Sequence, residues 1–385
     1  MSNPPVNNIL QVSDELGKIN NNLLLLCKYS AKTPKYTQSD LYPLTHVRLW
    51  CIIGQSKPRW EKGETTMKKL LAIACAVLML LSMTACSETQ EDDGKYVIGI
   101  CQLVTHPALD AATQGFKDAL IAELGAENVT FEHKDAAGKQ DNCNTIIDGF
   151  ISQGVDMILA NATAPLQSAA NKTADIPVMG TSVTDYASAL GITNWTGTVG
   201  GNISGTSDLA PLDQQAAMIK ELFPNAKTVG LLFCSGESNS VYQVTEMEKY
   251  LKNLGFTTKR FSFVDANDVA NVTQTACDGA DVLYVPTDNT AAACAEAIGN
   301  VVVPANKPLI AGEAGICASC GVATLSIDYY DLGYTTGKMA AQVLKGEKKI
   351  SEMPIAFAPE VEKLYNASIC QSLDLTMPAG YAPLS

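Results

Sequence analysis

The stretch KYVIGICQLVTHPALDAATQGFKDALIAELG, residues 95–125, decides the fold. Its opening, KYVIGICQL, is a short and nearly continuous apolar run, which predicts a buried strand. The remainder predicts a helix, because Leu109, Phe116 and Leu120 lie on one face at helical spacing and Pro107 stands at the start. A buried strand followed by an amphipathic helix is the repeating unit of parallel α/β proteins.

The same unit recurs along the rest of the chain. Between residues 128 and 183, the segments NVTFEHKDA, VDMILANA and IPVMGTSV predict strands separated by helices. The Gly-, Ser- and Thr-rich segment GGNISGTSDLAP (200–211) interrupts the pattern, which restarts at KTVGLLFCS and continues to KPLIAGEAG. We therefore predict an α/β fold of two doubly wound parallel-sheet lobes joined by a multi-crossover hinge.

The lobe boundaries follow from the interruptions in this pattern. The last segment, PEVEKLYNASIC (359–370), is predicted to be a strand. The predicted lobes are a first one of residues 95–205 plus 326–350 and a second one of residues 206–325 plus 351–385. The predicted crossovers lie near residues 200–206, 326–328 and 348–353.

An export signal is predicted upstream of the first lobe. In MKKLLAIACAVLMLLSMTAC, two lysines precede an uncharged apolar run from Leu70 to Met83, and small residues lead to Cys86. This is the three-part pattern of a secretory signal, and the run is too short to span a bilayer comfortably as a permanent helix. The ending MTAC resembles the lipobox of bacterial lipoproteins, which implies lipidation of Cys86 and a polar tether over 87–94.

Met67 is the predicted translation start. Residues Glu61 to Glu64 can be encoded by codons that contain AAAGGAGAA, a bacterial ribosome-binding sequence, a few nucleotides before Met67. Residues 1–66 show no clear apolar period and no turn-bounded strands. We expect this segment to be upstream DNA translated from a misplaced start, and residues 67–86 to be the signal peptide.

Charge excludes functions that need a basic surface. The whole chain has 27 Lys and Arg against 40 Asp and Glu, a net charge of −13. Residues 87–385 alone hold 17 Lys and Arg against 35 Asp and Glu, a net charge of −18. Such a chain repels nucleic acid, so no nucleic-acid partner is expected.

The cysteines leave two interpretations open. An even number in an exported protein allows disulfides, yet most of them lie within apolar patterns typical of buried free thiols. The CASC motif is either a redox pair or two inert thiols, and it lacks a second pair for zinc. The cysteines after Cys86 are Cys101, Cys143, Cys234, Cys277, Cys294, Cys317, Cys320 and Cys370.

Motifs that would indicate an enzyme are missing from the sequence. It contains no nucleophile elbow, no paired histidines and no cluster with metal-ligand spacing. The turn after the first strand, GICQLVTHPALD, lacks the Gly-x-Gly-x-x-Gly pattern of dinucleotide-binding enzymes. We therefore expect no catalysis, no cofactor and no metal.

An ordered set of motifs resembles a known family. IGICQLVTHPALDAATQGFKDAL, GTSVTD, SGTSDLAP, PTDNT and SIDYYDLGYTTGKMAAQVLKGE are similar to the ABC-transporter substrate-binding family that includes tryptophan- and tyrosine-binding lipoproteins. The resemblance extends almost from end to end of the predicted mature chain. It implies a type I periplasmic binding protein fold, a lipid anchor on the extracytoplasmic face of the cell membrane, and delivery of a solute to a permease and its ATPase.

Candidate ligand-binding residues follow from the position of the loops. In open α/β sheets, ligands bind beyond the carboxyl ends of the strands. The candidates are Gln102, Thr105, His106, Thr181, Ser182, Thr184, Asp185, Ser235, Glu237, Asn239, Asp288, Asn289, Glu313 and Asp328. The same rule also brings in Asn161, Thr163 and Thr287.

These side chains suit an amino acid. Hydroxyls and backbone N–H groups in GTSVT could bind its carboxylate, and Asp288, Glu313 and Asp328 are the predicted partners of its ammonium group. Each of these residues could instead be a helix cap. The resemblance implies an aromatic or large apolar L-amino acid. A sugar or nucleoside, or a sensory lipoprotein without transport, remains an alternative.

Overall fold

The computed structural model describes residues 94–358 and 360–384. These residues belong to one compact unit, Thr89–Ser385. The predicted signal peptide with Cys86, and residues 1–66, lie outside the described residues.

Strands and helices alternate along nearly the whole described chain. The strands are β1 Tyr96–Gln102, β2 Val129–Asp135, β3 Met157–Asn161, β4 Val178–Val183, β5 Ile203–Ser207, β6 Thr228–Cys234, β7 Thr257–Phe263, β8 Val282–Val285, β9 Leu309–Ala311, β10 Ala323–Ser326, β11 Ala356–Phe357, β12 Glu362–Tyr365 and β13 Ala382–Pro383. The helices are α1 Pro107–Leu124, α2 Gln140–Gln153, α3 Thr163–Lys172, α4 Tyr186–Leu190, α5 Leu212–Leu222, α6 Ser238–Asn253, α7 Val269–Gly279, α8 Asn289–Ala293, α9 Ala295–Val302, α10 Ala314–Cys320, α11 Tyr329–Leu344 and α12 Ala367–Ser372.

The first lobe is built on a parallel sheet. Within the described residues this sheet has six strands in the order β11-β5-β4-β3-β1-β2. Strands β3 and β4 are buried along their whole length, because apolar clusters cover both faces of the sheet. That burial is why their sequences are nearly continuous apolar runs.

The second lobe repeats this plan with an added antiparallel strand. Its sheet has seven strands in the described part of the chain, ordered β13-β12-β10-β9-β8-β6-β7. Strand β12 runs antiparallel to β10, and the other neighbouring pairs are parallel. The prediction of two doubly wound lobes is confirmed.

Two of the three crossovers lie later in the chain than predicted. The chain leaves the first sheet after Ser207 and after Phe357, so these crossovers occupy residues 208–211 and 358–361, while the second occupies 327–328 as expected. Residues 356–357 therefore belong to the first lobe, although 351–385 had been assigned to the second.

Polar side chains inside β5 explain the first error. The segment ISGTS resembles a linker in composition, yet its hydroxyls are bonded within the first lobe. Ser204 donates to the carbonyl of Met353 at 3.1 Å, and Ser207 donates to that of Thr184 at 2.8 Å. The end of the chain also differs from prediction, because the strand in PEVEKLYNASIC stops at Tyr365 and α12 follows.

Helix α11 returns to the first lobe and packs closely on α1. Gly333 lies so near α1 that an added Cβ would be 1.9 Å from the carbonyl oxygen of Ala112. An added Cβ at Gly115 would be 2.1 Å from the carbonyl oxygen of Tyr330. The glycines thus allow backbone contact between the two helices.

The cysteines and the helix lengths can be compared with the predictions from sequence. All eight cysteines of the described residues are free thiols, and every one except Cys294 is buried. No helix formed by the described residues is both long and apolar enough to cross a bilayer.

Candidate functional site

The loops at the carboxyl ends of the two sheets meet at the boundary between the lobes. Gln243 on α6 donates from Nε2 to the Thr184 hydroxyl of the first lobe at 3.3 Å. The same amide bonds the backbone of Thr287 in its own lobe, through both the N–H and the carbonyl. His106, just before α1, lies with Nε2 at 3.4 Å from Oδ1 of Asn289, the first residue of α8. These contacts define an interlobe cleft that is closed over polar side chains.

Asp208 lies on the first crossover, and the Thr184 hydroxyl approaches its carboxylate. It is 4 % exposed, and its Oδ2 accepts a hydrogen bond from the Tyr329 hydroxyl at 3.0 Å. Oδ1 is buried and has no hydrogen-bond partner. Burial raises the pKa of this carboxyl to about 6, although hydrogen bonds from Tyr329 and Thr184 oppose the rise.

Three predicted residues also have a buried polar atom without a partner, and the first of these atoms is Oδ1 of Asn161. Ser182 adopts φ of 54°, a left-handed conformation that is unfavourable for a residue with a side chain, and its hydroxyl is unpaired. Nδ1 of His106 is also unpaired, and burial lowers the pKa of this imidazole. A neutral ring that donates from Nε2 to Asn289 leaves Nδ1 as an acceptor.

Several predicted carboxylates cap helices. Both oxygens of Asp288 accept backbone N–H groups, from Ala291 at 2.8 Å and Cys234 at 2.6 Å. Glu313 likewise accepts the N–H groups of Gly315 and Ile316 at 2.6 and 2.5 Å. Their carboxylates are therefore fixed within the second lobe.

Burial changes the pKa of both capping carboxyl groups. It raises the pKa of Asp288 to about 7, with a further contribution from the negative charge of Glu237. It also raises the pKa of Glu313 to about 7. Both carboxyls are thus partly protonated near neutral pH.

Three more predicted acidic residues have local partners. Asp185 accepts the N–H of Ser188 at 2.7 Å, and exposed Asp328 accepts that of Asp331 at 2.9 Å. Glu237 accepts the N–H groups of Asn289 and Thr290 at 3.0 and 2.8 Å, together with the side chains of both residues. Glu237 thereby orients Asn289, the partner of His106.

Other predicted residues bond within their own lobe. Gln102 bridges Asp110 and Thr113. Asn239 donates to Glu237, to Ser240 and to the Thr287 carbonyl.

The remaining predicted residues are divided between the sheet interior and the surface. Asn161 donates to Leu109 and Thr113, Thr181 contacts the hydroxyls of Thr206 and Thr336, and Thr163 begins α3. Thr105 and Ser235 are exposed, and they donate to Asp135 and to the Phe263 carbonyl respectively.

Asp208, Tyr329 and Gln243 are not among the residues predicted from the sequence to bind the ligand. Asp208 stands in the motif SGTSDLAP, directly after β5, but the composition of this segment is typical of a linker. Placing β5 inside the sheet would have put Asp208 at the carboxyl end of a strand, where the other candidates lie. Gln243 lies in the second turn of a helix, so no rule about loops could select it.

The two lobes, three crossovers and buried polar cleft define a type I periplasmic binding protein architecture. The chain belongs to the ABC transporter substrate binding protein family, whose model matches residues 97–380. Among the described residues, no group of three or more His, Cys, Asp or Glu side chains is placed to hold a metal ion.

Relatives and solved structures agree with this assignment. The chain is 33 % identical over 322 residues to the tyrosine-binding protein of Clostridioides difficile (strain R20291), covering 80 % of this chain and 93 % of the relative. It is 32 % identical to an ABC domain from Streptococcus pneumonia in complex with L-Trp, with a TM-score of 0.71 over 75 % of this chain and 99 % of the other. The ligand-free, open structure of a substrate binding protein with adhesive properties from Clostridium difficile is 33 % identical, with a TM-score of 0.59 over the same shares. The resemblance stated from sequence motifs is confirmed.

Proposed function

We propose that this protein is an extracytoplasmic receptor that closes its two lobes around an L-amino acid, aromatic or large and apolar, and delivers it to an ABC permease. The observation that carries the proposal is the interlobe cleft, where buried side chains from both lobes meet. His106, Ser182 and Asp208 there combine an unpaired nitrogen, a hydroxyl and a carboxylate oxygen. Such a mixture of donors and acceptors suits a zwitterion.

The charge of the cleft supports the same ligand class. None of the Lys and Arg side chains among the described residues is buried, so none accompanies Asp208 inside the cleft. A ligand with a second carboxylate would lack a fixed cation there. A neutral amino acid brings one charge of each sign, and its side chain needs only apolar contact.

The comparisons support closure and an aromatic ligand. The TM-score is higher against the tryptophan complex than against the ligand-free open structure, although the shares of chain covered are equal. This difference agrees with the cross-lobe contacts of Thr184 and His106, and both correspond to a closed arrangement. Tyrosine and tryptophan are named for the two relatives, which makes them the first ligands to test.

Membrane attachment and delivery complete the proposal. The lipobox-like ending at Cys86 would anchor the protein on the outer face of the cell membrane, with the lobes free to meet a permease. A receptor of this kind only has to hold and release its solute, so the proposal includes binding and no catalysis. A sensory receptor without transport would use the same cleft, and deletion of the permease genes would separate the two roles.

Calorimetry on residues 87–385 tests the proposal directly. L-tryptophan, L-tyrosine, L-phenylalanine and L-leucine are titrated first, with glucose, ribose and adenosine as the competing classes. We expect at least one aromatic amino acid to bind with a dissociation constant in the micromolar range or below, about −8 kcal/mol. Binding of a sugar or nucleoside, with none of the amino acids bound, would overturn the proposal.

A further inference from the structure

We propose that Asp208 is the counter-ion of the ligand's ammonium group, an assignment that rests on the proposed function and deepens it. Asp208 stands on the first crossover, between the lobes, and is almost fully buried. Its Oδ1 has no hydrogen-bond partner in the protein. Buried polar groups are nearly always hydrogen-bonded, so an open acceptor in a binding cleft marks the place of a donor from the ligand.

The protein supplies no cation of its own to this carboxylate. Its neighbours Tyr329 and Thr184 are neutral hydroxyl donors. The nearby carboxyl of Glu313 makes the electrostatic potential at Asp208 more negative. An isolated buried carboxylate is unfavourable by several kcal/mol, which binding of a cation offsets. Asp208 can therefore form an ion pair with a positive group of the solute.

The other buried carboxylates are less suited to this role. Each oxygen of Asp288 and of Glu313 already accepts a backbone N–H group at a helix start. Asp328 is exposed and caps α11. Among these carboxylates, Asp208 alone combines burial with an oxygen that has no partner. The ammonium partners predicted from sequence are thus replaced by a residue of the first crossover.

The position of Asp208 also links recognition to closure. Its second oxygen is bonded to Tyr329, which follows the second crossover. Thr184, which approaches the same carboxylate, accepts the cross-lobe hydrogen bond of Gln243. An ammonium group bound to Oδ1 would therefore neutralise a charge at the point where two crossovers and both lobes meet. We infer that this neutralisation favours the closed state.

The test combines a ligand change with a residue change. Asp208→Asn keeps the size of the side chain and its acceptor for Tyr329 but removes the charge. Titrations compare L-tryptophan with 3-(indol-3-yl)propionate, and L-tyrosine with 3-(4-hydroxyphenyl)propionate, which lack only the ammonium group. We expect Asp208→Asn to weaken binding of the bound amino acid at least about 30-fold and binding of its deaminated analogue less than about 3-fold.

Controls separate this role from a general loss of structure. Asp213→Asn, on the exposed face of α5 five positions further on, removes a charge outside the cleft and should change neither affinity. A purely structural role of Asp208 would weaken both ligands by the same factor, which would overturn the assignment. The assignment would also be overturned if Asp288→Asn or Glu313→Gln lost the preference for the amino acid over its deaminated analogue while Asp208→Asn kept it. If the unaltered protein binds none of the amino acids, the proposed function itself fails.

Tyr329→Phe provides a second variant should Asp208→Asn not fold. It leaves the carboxylate in place and removes one neutral donor to it. We expect this variant to retain the preference for the amino acid over its deaminated analogue. Loss of the preference in folded Tyr329→Phe would assign the discrimination to the hydroxyl and overturn the role of Asp208.

Discussion

The hydroxyl of Tyr329 donates a hydrogen bond to the carboxylate of Asp208 at 3.0 Å, across 121 positions of sequence. Asp208 stands on the first crossover between the lobes, Tyr329 directly follows the second, and both are buried. The contact thus joins two hinge segments at the cleft. Any change in the charge of Asp208 therefore acts at the crossovers, which must bend when the lobes separate.

Ligand affinity should decline in mild acid. Burial raises the pKa of Asp208 to about 6, and an ammonium group pairs with the ionised carboxylate. Below that pH the proton must leave before the ligand binds, so affinity should fall about tenfold per pH unit. Calorimetry with the bound amino acid from pH 7.5 to pH 4.5 measures this slope. Equal slopes in the unaltered protein and in Asp208→Asn would contradict the prediction.

The ligand-free protein should become more stable when Asp208 loses its charge. The folded-state pKa of about 6 lies above the unfolded value of 3.8, so this group makes folding less favourable as pH rises from about 4 to 6. At pH 8, Asp208→Asn should therefore raise the free energy of unfolding by up to about 3 kcal/mol. Urea unfolding without ligand measures the change, which should vanish near pH 4. A variant less stable than the unaltered protein at pH 8 would show that the carboxylate is stabilising.

Close contact between α1 and α11 should make Gly333 intolerant of substitution. The added methyl group of Gly333→Ala would meet the Ala112 carbonyl at 1.9 Å, so the helices must separate. We expect a loss of about 2–4 kcal/mol in the free energy of unfolding. Gly149→Ala is the matched control, since Gly149 is exposed on α2 and nothing lies within 4 Å of an added Cβ. That control should stabilise the protein by about 0.5–1 kcal/mol, and equal effects of the two variants would refute the packing argument.

Removing the cross-lobe hydrogen bond should favour the open form. Thr184→Val deletes the oxygen that accepts from Gln243 at 3.3 Å, at a cost of about 1 kcal/mol to the closed state. We expect X-ray scattering to give a larger radius of gyration for the ligand-free variant, and a ligand to reduce it again. Thr275→Val, which alters an exposed hydroxyl bonded within α7, is the control. An unchanged radius in Thr184→Val would remove this contact from the closing mechanism.

Export and lipidation can be tested on the native protein. If Met67 is the start and Cys86 carries the lipid, Cys86→Ser should leave the signal uncleaved or release the protein from the membrane fraction. Mass spectrometry of the native protein should detect no peptides from residues 1–60. Recovery of such peptides would show that translation begins upstream of Met67.

The sequence by itself determined the class of fold. Strands such as β3 and β4 are buried on both faces, so they require continuous apolar runs, while helices such as α1 need one apolar face. These two local patterns alternate in the sequence, and they predicted two doubly wound lobes. The carboxyl-end rule also selected His106 and Thr184, which contact the second lobe.

Tertiary structure alone decided which residues form the cleft and where the hinge lies. The hydroxyl-rich strand β5 is buried because partners from distant segments, such as the Met353 carbonyl, satisfy its polar groups. No local pattern records those partners, so the strand resembled a linker and Asp208 beside it was overlooked. Conversely, the sequence left Asp288 and Glu313 open as ammonium partners or as helix caps, and the backbone N–H groups of the helix starts bind them. Whether a polar atom is paired depends on contacts between distant parts of the chain, and these exist only once the lobes have folded and met.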